Sequence, residues 1–171
     1  QRSFKAIPLL QSDIESILDV TRWIPTASNK QQLKWMVIND TKKVQAIAGL
    51  TVDFIKQMGT YKKLPVLYEQ GDDIVLRNAP CLIVVLGEDD YFWSATEAGI
   101  ALTYLELYAY SKKMGTCWAG FFTRAARNYK PLIDYLDPPK GYKVCGGVMI
   151  GHPIFKLHSV PDRKEPDVIW K

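Results

Sequence analysis

The chain has 171 residues, 47% of them hydrophobic and 12% aromatic, and carries 22 basic against 18 acidic side chains for a formal charge of +4. That length supports one domain with its own core, since the buried fraction of surface rises to roughly two thirds near this size. The basic residues form no Lys/Arg run, which argues against a nucleic-acid partner, and the apolar runs at 80–86 and 144–150 fall well short of the roughly 20 residues of a membrane helix.

In chain order, Ser12-Asp13-Ile14-Glu15 has the form of a capping box and predicts a helix from about 13 to 22, with Ile14, Ile17, Leu18 and Thr21 facing inward. The stretch IPTASNKQQLKWMVIND, 24–40, sets Thr26, Ser28, Asn29, Gln31 and Gln32 before the strand-like run Trp35–Ile38. Asp40 is placed to cap a second helix, whose residues Val44, Ile47, Ala48, Thr51, Ile55 and Met58 keep the three-and-four spacing of a buried face. From Tyr61 to Asn78 the pattern decays into Pro65, Gly71 and scattered charges, a loop or short helix that reads as a candidate lid.

Cys81–Leu86 and Val144–Ile150 also read as strands, with Gly115–Ala119 a candidate fourth. Residues 94–115 are apolar on nearly every side, with small residues at Ala95, Ala98, Gly99 and Ala101. Such a helix must be buried all round, which in a chain this short calls for a second subunit. A further helix over about 123–136 carries Leu132, Ile133 and Leu136 and ends at Pro138-Pro139. Helices and strands without strict alternation predict an α+β fold, with a single domain over 1–171.

No phosphate loop, dinucleotide fingerprint or zincin motif is present, and His152 and His158 read as surface histidines. Cys81, Cys117 and Cys145 match no metal or iron–sulfur spacing, so no metal site is expected, and their odd count fits a reducing, cytoplasmic setting rather than a disulfide framework. Three polar clusters stand out: Arg2-Ser3-Phe4-Lys5, the 24–34 stretch, and Arg163-Lys164. If they converge, they offer cations and a hydroxyl to a phosphate and amides to a heteroaromatic ring; otherwise they are solvated termini and a loop.

The order RSFK, PTASNKQ, MGTCWAGFF, GVMIGHP and VPDRKEPDVIW resembles the FMN-dependent nitroreductase family from end to end, and AGLTVDFIK, DDIVLRNAP and LTYLELYAYSKKMGTCWAG resemble a branch often fused behind a ferredoxin-like iron–sulfur domain. The resemblance implies a central, mainly antiparallel sheet flanked by helices in an intertwined homodimer. It implies that Arg2, Ser3 and Lys5 hold the FMN phosphate and ribityl chain, with Arg163 and Lys164 closing from the other end of the chain. Pro25, Thr26, Ala27, Ser28, Asn29 and Gln31 would edge the cofactor, and Trp118, Ala119 and Gly120 match the segment whose main chain faces flavin N5. Gln1, Ala27 and Gln32 stand where many members carry Arg, Ser or Gly, and Pro.

The expectation is thus an FMN-dependent oxidoreductase that reduces small electron-poor substrates such as nitroaromatics or quinones in a ping-pong cycle. Its donor would be NAD(P)H or ferredoxin, and the start at Gln1 fits an upstream iron–sulfur segment. No catalytic side chain is implied, because the flavin carries the chemistry. The competing reading is a flavin-binding electron-transfer or sensory module without turnover. Trp23, Trp35 and Trp118 are candidates to cover the ring, although large aromatics more often belong to the core.

Overall fold

Four short apolar and β-branched segments pair into one sheet in the computed structural model of the chain, which describes residues 2–156, 159 and 161–171. Gln1 and His158, both singled out above, lie outside the described residues. The strands are β1 (Lys34–Ile38), β2 (Cys81–Glu88), β3 (Gly115–Trp118) and β4 (Tyr142–Gly151), all antiparallel, in spatial order β1-β2-β4-β3. Ile83 of β2 sits opposite Val37 on one side and Val148 on the other.

β2 is buried from Cys81 to Gly87 because helices cover both faces of the sheet, which is why its sequence is continuously apolar instead of alternating. Leu82, Val84 and Met149 join a core with α2 (Thr41–Met58), α5 (Gly120–Asn128) and α6 (Lys130–Leu136). Ile83, Val85 and Val148 join a second core, with α1 (Gln11–Asp19) and α4 (Ser94–Ser111), on the opposite face. The α+β architecture expected from the sequence is the one observed.

Adjacent glycines in β4 set how closely these layers approach. A Cβ on Gly146 would lie 2.7 Å from Leu102 Cδ1 of α4, and one on Gly147 would lie 3.0 Å from Phe122 Cε1 of α5. Both helices therefore press on the central strand where it has no side chain, one from each face.

Helix ends explain most departures from the sequence reading. Asp40 caps α2 as expected, its carboxylate accepting the Lys43 N–H at 3.0 Å, and Gly59 closes that helix in the left-handed conformation with φ 64°. The capping box at Ser12 does not form. Leu9 is drawn into the core, α1 starts at Gln11 after an uncapped Leu10, and Glu15 instead accepts a 2.7 Å hydrogen bond from Gln11 Nε2. After α1, Val20–Trp23 continue as a 3-10 turn.

The single helix expected over 123–136 is two helices broken at Tyr129, whose backbone is extended. Pro131 has no N–H and could not continue from the preceding turn, so it opens α6 instead. Within 61–78 a short helix, α3 (Lys63–Glu69), is followed by a turn in which Asp73 accepts backbone N–H groups of Val75, Leu76 and Asn78. Within this one chain α4 is not buried all round: Ala98, Ala101, Leu102, Leu105 and Ala109 pack inward, while Leu107 and Tyr110 remain 68% and 73% exposed.

Replacing the α2 cap, Asp40→Ala, is expected to lower the urea midpoint at neutral pH, because the Lys43 N–H loses its acceptor. The Lys43 N–H holds the Asp40 carboxyl below its ordinary 3.8, so the cap's contribution is present above that value and fades as pH falls through the lowered folded one. The wild-type and Asp40→Ala midpoints therefore converge in strong acid.

Candidate functional site

The loop before β1 takes its shape from a carboxylate on α4. Glu97 is buried to 2% exposure, and its Oε1 accepts the Ala27 N–H at 2.8 Å and the Tyr91 hydroxyl at 3.2 Å, while Oε2 accepts Gln32 Nε2 at 3.2 Å. Gln32 in turn accepts the Glu88 N–H at 2.9 Å, so its amide is spent on both sides. Lys30 pairs with Glu88 at 2.5 Å and lies over the Tyr91 ring; the Glu88 hydrogen bond raises its pKa above 10.5. Partial burial, followed by the Glu97 charge, raises the Tyr91 phenol.

Held at both ends, the loop places Ser28, Asn29 and Gln31 at φ 52°, 54° and 49°, a region that costs a non-glycine residue energy. Gln31 N–H donates to Thr26 Oγ1 at 3.2 Å and Gln31 Nε2 to Asn29 Oδ1 at 2.7 Å. Thr26 and Gln31 line a small cavity of about 280 Å³ together with Arg22, Ile24 and Trp35.

A second element of the site lies at the far edge of the sheet. Where β3 passes into α5, a cleft of about 500 Å³ is bordered by Arg2, Trp118 and Gly120, with Cys117 and Met149 also lining it. Glu106 of α4 fixes this edge, accepting Thr116 Oγ1 at 2.8 Å and also the Trp118 indole N–H. The Ala119 N–H is already given to the Gly147 carbonyl at 2.9 Å. Gly120 opens α5, where the first-turn N–H groups have no intrahelical acceptor, and a Cβ built on it meets nothing within 4 Å. A flat molecule can therefore reach the main chain at this point.

All three cysteines are free. Burial pushes the Cys81 thiol up to about 12 and raises Cys145, whereas Cys117 is only half-buried.

The residues predicted for the site separate into groups. Arg2 joins Trp118 and Gly120 in the cleft, and Ser3 lies with Arg2 in the adjoining groove. Residues 3–5 run beside the end of β4, with Lys5 N–H donating to the His152 carbonyl at 2.8 Å; Lys5 itself borders another cavity with Tyr110, Lys113 and Lys156. Pro25, Thr26, Ala27, Ser28, Asn29 and Gln31 stand before β1, and β1 and β3 are opposite edges of the sheet, three strand spacings or roughly 14 Å apart. Arg163 and Lys164 are exposed and make no hydrogen bond or ion pair with any described residue.

Sequence reasoning missed Glu97, Tyr61, Arg77, Phe121 and Arg124. For Glu97 a signal existed, because it and Glu106 are the two carboxylates in an otherwise apolar helix. Among the described residues no group of His, Cys, Asp or Glu could hold a metal ion, and no helix is long and apolar enough to cross a membrane.

A four-stranded antiparallel sheet covered on both faces, with a cation-rimmed cleft beside a glycine that starts a helix, defines this α+β domain. The chain belongs to the nitroreductase family, whose model matches residues 1–152. An FMN reductase [NAD(P)H] of Bacillus subtilis (strain 168) is 26% identical over 170 residues, covering 94% of this chain and 64% of that protein, so the chain spans less than two thirds of its relative's length. Among solved structures, an FMN-bound nitroreductase from Desulfitobacterium hafniense DCB-2 matches with a TM-score of 0.80 at 21% identity, covering 98% of this chain and 92% of that one. One from Bacteroides fragilis NCTC 9343, also with bound FMN, matches at 0.76 and 20% identity with the same coverage. These likenesses establish the fold.

Removing the buried carboxylate, Glu97→Ala, leaves donors on Ala27 and Gln32 unpaired and costs about 1–3 kcal/mol. Limited proteolysis is expected to cut between 26 and 32 faster in this variant than in wild type at a temperature where both remain folded.

Proposed function

We propose that the chain is an FMN-dependent oxidoreductase that acts as a homodimer and reduces small electron-poor acceptors, nitroaromatics or quinones, by a ping-pong cycle. The observation that carries this reading is the open approach to the Gly120 main chain beside the Arg2 guanidinium, at the end of β3. The donor set fits the group: an Arg fork suits a phosphate, and a glycine without a neighbour lets a flat ring come close. The cleft volume of about 500 Å³ falls within the range of small-molecule sites.

When bound, FMN supplies two-electron redox chemistry, taking electrons from a donor and passing them with protons to the acceptor. The chain's own work is to bind and orient. Arg2 and Ser3 would hold the phosphate end, with Lys5, Arg163 and Lys164 as the further cations that the family motifs assign to it. Trp118, Ala119 and Gly120 would edge the ring. The Glu97-anchored loop, Pro25 to Gln31, would complete the site of a second copy, since the same chain holds it across the sheet from its own cleft. Exposed Leu107 and Tyr110 on α4 support the same pairing, because a helix apolar on its outer side needs cover. Three free thiols fit a cytoplasmic setting.

For the donor, the stretches that resemble the ferredoxin-fused branch favour a ferredoxin, whereas the name of the B. subtilis relative favours a nicotinamide. The purified protein is expected to carry noncovalent FMN, and Arg2→Ala to weaken it by about 1.5–3 kcal/mol. A colourless protein that binds no added FMN would sink the proposal. Stopped-flow bleaching of the flavin separates the donors: fast, saturable reduction by NADH or NADPH assigns the nicotinamide, and slow reduction by both beside fast reduction by ferredoxin assigns the iron–sulfur partner.

Leu107→Asp tests assembly. Light scattering is expected to show the wild type as a dimer and the variant as a monomer that has lost its flavin. A folded monomer that keeps FMN would reject the shared site.

A further inference from the structure

The cleft beside Gly120 carries two guanidinium groups that the cofactor motifs do not claim. Besides Arg2 it is lined by Arg77 and Arg124, with no Asp or Glu among its lining residues. None of the three guanidiniums forms an ion pair or side-chain hydrogen bond with a described residue; the ion pairs join Arg22, Lys30, Lys56 and Lys130 to carboxylates elsewhere. Arg127, one turn along α5 from Arg124, shows the contrast, since its guanidinium is spent on the Val144 and Cys145 carbonyls. Asp72 and Asp73 border the adjoining groove with Arg2 and Arg77 without pairing to them. Asp73 is instead occupied by three backbone N–H groups, and these fix the turn that carries Arg77 at φ 57°.

The rest of the cleft wall is aromatic. Tyr61 and Phe121 meet edge to face with ring centroids 5.2 Å apart, and both line it. A flat ring can lie against this pair while a charged substituent meets the guanidiniums. Three like charges facing one cleft repel one another, and an anion relieves that repulsion while filling forks that are otherwise unmet. A neutral molecule of the same shape desolvates the same cations without pairing them, and this is the kind of mismatch that yields strong discrimination.

We infer that Arg77 and Arg124 clamp an anionic group on the acceptor, so that this site selects flat acceptors bearing a carboxylate, sulfonate or phosphate over neutral ones of equal size. The inference rests on the proposed oxidoreductase activity for turnover, but not for binding. Arg77 and Arg124 are specificity-determining residues here, distinct from Arg2, which the cofactor motif claims.

The test compares 4-nitrobenzoate with its neutral isostere 4-nitrobenzamide. Wild type is expected to favour the carboxylate at least tenfold in kcat/KM, with the preference shrinking as salt rises. Arg77→Gln and Arg124→Gln are each expected to remove most of that preference by lowering kcat/KM for the carboxylate; Arg→Lys at either site restores part of it. Equal use of the two acceptors by wild type overturns the clamp. So does a tenfold rise in FMN Kd in either Gln variant, which would assign the guanidiniums to the cofactor's phosphate.

Calorimetric binding of 4-nitrobenzoate to the oxidised protein keeps the two proposals apart. Binding that is lost in the Gln variants, in a protein that turns over neither acceptor, upholds the clamp and rejects nitroaromatics as the acceptors. Turnover of both acceptors with no preference rejects the clamp alone.

Discussion

The structure depends first on β4 having no side chains at its centre. Gly146 and Gly147 let α4 and α5 close on opposite faces of one strand, with Leu102 against one and Phe122 against the other. Methyl groups there would hold one helix off each face and open both cores together. The functional edges follow from the same strand: β3 pairs along it and delivers Trp118 and Gly120, Ala119 is tied to the Gly147 carbonyl, and residues 3–5 run beside its end. Placing the cleft and packing the core are therefore one problem in this fold, solved at two adjacent positions.

The strand order then divides the polar machinery. β1 and β3 are the two edges of the sheet, so the amide-rich loop that precedes one and the arginine-bordered cleft that follows the other face apart. A small domain with an open antiparallel sheet cannot bend one edge round to the other. It can present both edges to a second copy, which is how the proposed dimer would bring them together around one ligand. The outward Leu107 and Tyr110 of α4 lie on the helix that also holds both edges through Glu97 and Glu106, so interface and site share a single rigid element.

What could be read from the sequence was whatever short-range chemistry decides. The α2 cap at Asp40 and the three later strands depend on neighbours in sequence, and they appear where the pattern put them. The Ser12 capping box failed because burial of Leu9 overrode a local preference, and 123–136 was misread as one helix because Pro131 tolerates a helix start but not a helix interior. The site was visible only where motifs carried it. Arg77, Arg124 and Tyr61 come from three separate elements, and their grouping is set by packing that no spacing encodes. Glu97 was legible in principle, as an acid in an apolar helix, but its partners Ala27 and Gln32 lie some seventy positions back along the chain.

The left-handed run at Ser28, Asn29 and Gln31 has a consequence for how this chain can vary. A free peptide would leave those torsions at once, so the shape persists because folding of the distant α4 enforces it through Glu97. Glycine at 28 or 31 would ease the backbone yet widen the ensemble of shapes, and a β-branched residue would force the loop open. The residues that hold these torsions here are polar, and two of them, Asn29 and Gln31, hydrogen-bond to each other. The display of hydroxyl and amide groups on this loop is thereby coupled to the helix beneath it, and drift in either one is checked by the other.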